Sequence, residues 1–183
     1  MTATRKTLHI RQIVLAVIIA ATGCQFAHAK SGAVTRDDYR QYIATYYPTA
    51  VSQQKKYKIP ASIILAQAIL ESSAGKSYLA LGGNNHFGIK CNDWNGLCII
   101  KNHENGSVCY RKYLDAVDSF EDHSRFLVGR THYRQLFTLK ITDYKSWANG
   151  LKKCGYATDP QYATKLISLI EQYKLYQYDT MKL

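Results

Sequence analysis

From Thr35 onward, apolar positions follow helical spacing, except in one strand-like interval near the middle of the chain. Tyr39, Tyr42, Ile43 and Tyr46 fall one helical turn apart behind Thr35-Arg36-Asp37-Asp38. That opening has capping-box spacing, with Asp in the usual place of Glu. A helix is expected there, ending before Pro48, because proline supplies no N–H to the ladder. A short helix is expected over residues 49–57. Another begins at Pro60, its stripe of Ile63, Ala66, Ile69 and Leu70 reaching Glu71 and stopping at Gly75. Over residues 81–113 the texture changes. Gly82-Gly83-Asn84-Asn85 reads as loop, 97–101 and 107–113 as strands, and Asn105-Gly106 as a hairpin turn between them. Helical texture resumes at Asp115 with Val117, Phe120 and Leu127. It continues from Thr142 with Trp147 and Leu151, closed by Gly155. Asp159-Pro160 is the expected start of the last helix, with Ala163, Leu166, Ile167 and Ile170 as its buried stripe. The plan is α+β: one mostly helical domain over 30–183, carrying a small hairpin lobe at about 82–113.

Residues 1–29 read as an address. Arg5, Lys6 and Arg11 form a positive flank with no acid before Asp37. The apolar run 13–21 has the length of a signal-peptide core and is too short for a membrane span. Ala27-His28-Ala29 offers small residues at the two positions a signal peptidase reads, so cleavage is expected after Ala29. The alternative is a lipoprotein box, Ala21-Thr22-Gly23-Cys24, with Ala where Leu is usual. The expected location is the periplasm or the extracellular cell envelope, with no stable membrane insertion of the mature chain. Without Cys24, an even set remains: Cys91, Cys98, Cys109 and Cys154. Three pairings are open. No closely spaced Cys or His pair suits a metal ion, so no metal is expected.

The 183 residues are 46% hydrophobic and 20% charged, which excludes a wholly disordered chain. The formal net charge is +11, and removal of Arg5, Lys6 and Arg11 lowers it to +8. Such a surface is drawn to polyanions: nucleic acid, anionic lipid or an acidic wall polymer. Lys55-Lys56-Tyr57-Lys58 and Lys152-Lys153 are its densest clusters, each also readable as solvated surface.

Glu71 breaks the local pattern. It ends Ile63-Ile64-Leu65-Ala66-Gln67-Ala68-Ile69-Leu70, the most apolar stretch after residue 29. Desolvation and the negative end of a helix dipole both favour its protonated form. A Glu so placed can serve as a general acid. A Glu on the solvated side of an amphipathic helix is the alternative.

Ala66-Gln67-Ala68-Ile69-Leu70-Glu71-Ser72, Gly75-Lys76-Ser77 and Asn84-Asn85-His86-Phe87-Gly88-Ile89-Lys90 together resemble the glucosaminidase family of peptidoglycan hydrolases (glycoside hydrolase family 73). The likeness continues through Asp122-His123-Ser124-Arg125-Phe126-Leu127 and Gly155-Tyr156-Ala157-Thr158-Asp159, covering about 39–178. It implies a lysozyme-like fold and cleavage of the β-1,4 bond after N-acetylglucosamine in peptidoglycan. It implies Glu71 as general acid and Tyr156 beside the cleaved bond. Asn84, Asn85 and Phe87 would wall the sugar subsites, although Tyr156 and Phe87 also suit plain core packing. No cofactor is implied.

The second carboxylate departs from the family pattern. Many members carry E-Y-x-N-G on the hairpin, where this chain has Asn102-His103-Glu104-Asn105-Gly106. Asn102 takes the acid's position and cannot be a base. In a strand, Glu104 would share its face about 7 Å further along. Asp93 is the reserve. An inverting mechanism needs such a base, whereas a substrate-assisted one uses the sugar's 2-acetamido group. A wall-binding protein with a degenerate site and a lytic transglycosylase are the alternative functions. Export and the lack of a nucleic-acid motif argue against a nucleic-acid partner.

Overall fold

A computed structural model describes residues 33–104 and 106–181. The expected signal peptide, the Cys24 alternative and Asn105 of the hairpin turn lie outside these residues. Among the described residues, no helix is long and apolar enough to cross a membrane.

Helix α1 spans Arg36–Tyr57. Its capping box forms as expected: Thr35 Oγ1 accepts the Asp38 N–H at 3.2 Å, and Asp38 Oδ2 accepts the Thr35 N–H at 2.8 Å. Pro48 does not end the helix, which runs through it. Pro48 sits on the exposed side, so water can satisfy the carbonyl that loses its donor. Burial of Tyr42 and Ile43 before it, and of Ala50 and Val51 after it, holds both halves on one core. The two expected helices are therefore one.

Helix α2, Ala61–Ser72, is buried on every side from Ala61 to Ile69. A helix apolar all round belongs at a domain's centre, and α1, α5, α6 and the final 3-10 turn pack around it. It stops at Ser73, earlier than the expected Gly75. Ser73, Ala74 and Gly75 all take positive φ (52°, 53° and 80°). The start of α2 lacks a cap of its own, and distant residues supply one. Asp179 accepts the Ser62 N–H and Oγ–H, each at 2.8 Å, and Gln54 Oε1 accepts the Ala61 N–H at 2.7 Å.

Helix α3, Tyr78–Gly83, absorbs the two glycines expected in a loop. A Cβ on Gly83 would meet Ile99 Cδ1 at 2.6 Å, so the glycine lets α3 approach the hairpin. Strands β1, Cys98–His103, and β2, Gly106–Arg111, pair antiparallel from Cys98↔Arg111 to His103↔Gly106. The two strands fall in the expected interval, β1 ending at 103 where 101 was expected and β2 at 111 where 113 was expected. Helix α4 spans Ala116–Val128 behind its Asp115 cap and buries Phe120, His123 and Leu127, while Val117 faces solvent. A 3-10 helix, Thr131–Thr138, precedes α5, Tyr144–Lys153. Helix α6, Tyr162–Gln172, starts later than Asp159-Pro160 suggested, although Asp159 Oδ1 still accepts the Gln161 N–H at 2.8 Å. A 3-10 turn, Leu175–Thr180, closes the fold. The order is α+β, mostly helical with one small hairpin.

Candidate active site

The last turn of α2 carries Glu71 out of the buried core into a recess of about 320 Å³. Phe87, Asn92, Phe126 and Tyr156 also line it. The carboxyl is half-buried, and burial pushes its pKa up from the ordinary value. One contact opposes that shift: the Tyr162 hydroxyl, from the first turn of α6, donates to Glu71 Oε1 at 2.9 Å. Gln67, one turn earlier on α2, donates to that hydroxyl at 3.1 Å. Gln67 and Tyr162 are both buried, so the carboxyl is oriented from behind while its front faces the recess.

An aromatic wall faces it. Tyr156 stacks on Tyr162 with centroids 5.5 Å apart. Burial first, and then the nearby Glu71 charge, hold its hydroxyl protonated well above the usual range. Phe87 stacks on His123 at 3.9 Å. His123 is fully buried, its ring nitrogens lack hydrogen-bond partners, and burial lowers its pKa to about 3. It is therefore a neutral packing group behind the wall.

The loop bearing Phe87 is bracketed by Asn85. Its Oδ1 accepts the Ile89 N–H at 3.0 Å, and its Nδ2 donates to Ile89 O at 3.0 Å and Arg111 O at 2.8 Å. Gly88 provides the positive φ (63°) that the turn needs. The loop's exit is tied to β2 by the Cys91–Cys109 disulfide. Each of the three open pairings joins all four cysteines, and none of them forms in full: among the described residues Cys91–Cys109 is bridged, while Cys98 and Cys154 are free thiols.

The expected site residues thus divide. Glu71, Phe87 and Tyr156 meet in one recess. Asn85 is buried beneath it as a bracket. Asn84 caps α3, donates to Tyr113 O and Leu114 O at 3.2 and 2.9 Å, and lines a different recess with Tyr42 and His86. Asp93 is exposed in the turn after Cys91, beside Asn92, which does line the recess. Asn102 is exposed on β1 and accepts from Ser107 Oγ at 2.8 Å. Glu104 is exposed and lies beyond the end of β1, in the turn. The same-face spacing argued from strand geometry therefore does not apply to it. Among the described lining residues, Glu71 is the one acid. Asp122 lies outside the recess, held by Arg111 at 2.9 and 3.0 Å and by the Tyr113 hydroxyl at 2.6 Å.

Sequence reasoning missed Tyr162 and the role of Gln67. The available signal was a glutamine one turn before Glu71 in an otherwise apolar helix. A buried amide must find partners.

A family model described as "Glucosaminidase: Mannosyl-glycoprotein endo-beta-N-acetylglucosaminidase" matches residues 47–175. The exo-glucosaminidase LytG of Bacillus subtilis is 35% identical over 153 residues, covering 78% of this chain and 54% of that protein. The peptidoglycan hydrolase FlgJ of Pseudomonas aeruginosa is 32% identical over 150 residues, covering 75% and 37%. The chain thus spans about half or less of the length of these relatives. The crystal structure of the catalytic domain of the autolysin Auto from Listeria monocytogenes superposes with a TM-score of 0.66 at 31% identity, covering 79% of this chain and 89% of that one. The family match falls across the helix that carries Glu71 and the loop that faces it, and this chain belongs to the glucosaminidase family.

Proposed function

We propose that the protein is an exported peptidoglycan hydrolase. It cleaves the β-1,4 bond between N-acetylglucosamine and N-acetylmuramic acid, with Glu71 as general acid. The carrying observation is the half-buried Glu71 carboxyl, held from behind by Tyr162 and open to an aromatic recess. The named relatives, a glucosaminidase and a peptidoglycan hydrolase, favour the same substrate. The positive charge suits the carboxylates of stem peptides.

In this reading a sugar ring packs on Phe87 and Tyr156, placing its glycosidic oxygen at Glu71. Burial favours the protonated carboxyl, which donates its proton as the bond to the leaving sugar breaks. An inverting route needs a second carboxylate roughly 6.5–9.5 Å away, with water between. The lining offers no second acid. The substrate's 2-acetamido group is then the internal nucleophile, and the protonated Tyr156 hydroxyl is the group available to orient it. Glu104 of the hairpin turn and Asp93 of the turn after Cys91 supply the base only if those turns close over bound glycan.

Purified sacculi test this. Glu71→Gln is expected to lower release of reducing ends by about 10²–10⁴-fold while the protein still pellets with sacculi. Full activity in that variant overturns the assignment. Pelleting without any release by the wild type points to a binding protein, and an anhydro product to a transglycosylase. Glu104→Gln and Asp93→Asn are expected to stay within a few fold of wild type under the substrate-assisted route. Loss of activity in either variant assigns the base instead.

A further inference from the structure

Three sulfurs converge where the hairpin meets the recess. The Sγ atoms of Cys91, Cys98 and Cys109 all lie within 4.8 Å of one another. Cys91 and Cys109 form the disulfide, and Cys98 is an exposed free thiol. The register explains the meeting. Cys109 pairs with Ile100, and Cys98 lies two residues before Ile100 on the same face of β1, so Cys98 and Cys109 are diagonal neighbours. Cys91 reaches them because its N–H donates to Cys109 O at 3.0 Å, a bond flanked by the Lys90↔Tyr110 bridge.

We propose that this cluster is a thiol–disulfide exchange site, entered from solution through Cys98. The Cys98 thiolate attacks either sulfur of the neighbouring disulfide. Attack on Cys91 forms Cys91–Cys98, and the electron pair of the broken bond leaves on Cys109, which takes up a proton. Attack on Cys109 forms Cys98–Cys109 and frees Cys91. Neither step is a net oxidation, so no oxidant or reductant is consumed. External thiols and disulfides enter by the same chemistry, since Cys98 is the exposed member of the three.

The consequence falls on the recess wall. Lys90 and Asn92 flank Cys91 and both line the recess with Glu71. In the Cys91–Cys109 form this wall is stapled to β2, and in the Cys91–Cys98 form to β1. In the Cys98–Cys109 form the wall has no covalent staple and is held by hydrogen bonds, among them Arg111 Nε to Lys90 O at 3.1 Å. The inference stands on sulfur geometry alone and holds whatever the recess cleaves.

The test is disulfide mapping of the folded protein. After incubation at mildly alkaline pH, exchange is quenched with acid and free thiols are alkylated. Digestion with trypsin and Asp-N separates the three cysteines for mass spectrometry. Linkages containing Cys98 are expected beside Cys91–Cys109, and Cys98→Ser is expected to abolish them. Two variants guard against an equilibrium lying wholly on one side. With oxidised glutathione, Cys91→Ser is expected to form Cys98–Cys109, and Cys109→Ser to form Cys91–Cys98. Cys154 serves as control: its thiol lies outside the cluster, donating to His132 O at 3.1 Å, and should stay alkylatable throughout. The proposal is overturned if Cys98 is fully alkylated in the wild type and both variants keep their two remaining cluster thiols free while circular dichroism shows them folded.

Discussion

Replacing Tyr162 with phenylalanine removes one oxygen, and the structure says what that oxygen does. It donates to Glu71 Oε1 at 2.9 Å and accepts from Gln67 Nε2 at 3.1 Å. Gln67 Oε1 already has no partner, so the variant strands both ends of a buried amide. That costs roughly 1–3 kcal/mol of stability. For a domain of this size the melting midpoint falls by about 2–4 °C per kcal/mol. The effect on the site is separable from this loss. A donor to a carboxylate favours its charged form, and here it opposes the burial that raises the Glu71 pKa. Without the donor, burial acts unopposed and the carboxyl keeps its proton to higher pH. A general acid works while protonated, so the alkaline limb of kcat/KM moves upward in pH. On the low-pH plateau, loss of positioning slows hydrolysis by about tenfold, equivalent to about 1.4 kcal/mol. The assay is reducing-end release from sacculi across pH, alongside a thermal melt. A folded variant whose alkaline limb stays put or moves to lower pH refutes the link between Tyr162 and the proton on Glu71.

Three further outcomes follow from buried groups elsewhere. His123 is held neutral to about pH 3 by burial, and His86 to about pH 4, against an ordinary value of 6.5. The unfolded chain takes these protons first, so stability is full above about pH 6.5 and drains away as pH falls. His123→Phe removes one such group along with its two unpartnered nitrogens, and its urea midpoint should fall less than wild type between pH 7 and pH 4. Asp179 has the opposite sign. Burial raises its pKa from 3.8 to about 6, so stability is greatest below about pH 4 and declines by roughly 3 kcal/mol as pH rises to about 6. Asp179→Asn can keep both Ser62 hydrogen bonds and should flatten that interval in urea titrations; an unchanged slope excludes Asp179 as its source. Gly83→Ala should push Ile99 aside at a cost of about 1–3 kcal/mol. It should also speed hydrogen exchange at the Tyr113 amide, which donates to Gly83 O at 2.9 Å.

The sequence was most legible where one residue's chemistry clashed with its neighbours. Glu71 at the end of the mostly apolar run from Ile63 to Leu70 announced a carboxyl at the edge of a core, and the Asn85-to-Lys90 string announced the loop that faces it. The misreadings concern effects that depend on partners distant in the chain. Pro48 looked like a stop because its lost hydrogen bond was counted without knowing that the freed carbonyl faces water. Gly82 and Gly83 looked like loop because the reason for a bare Cα is Ile99, on a strand not yet placed. Tyr162 sits just ahead of an ordinary apolar stripe, and only tertiary contact reveals it 2.9 Å from Glu71. Cysteine spacing left three pairings open, and only strand register brings the sulfurs of Cys91, Cys98 and Cys109 together. Glu104 was placed by strand periodicity, and the strand ends one residue too soon for that rule.

The helix that carries Glu71 is capped from the closing 3-10 turn and not by its own neighbours. The front of α2 is closed by Asp179, while Glu71 stands at its far end. A protease that removed the turn after Lys174 would take nothing from the recess lining, yet it would leave the Ser62 amide and hydroxyl without their acceptor inside the core.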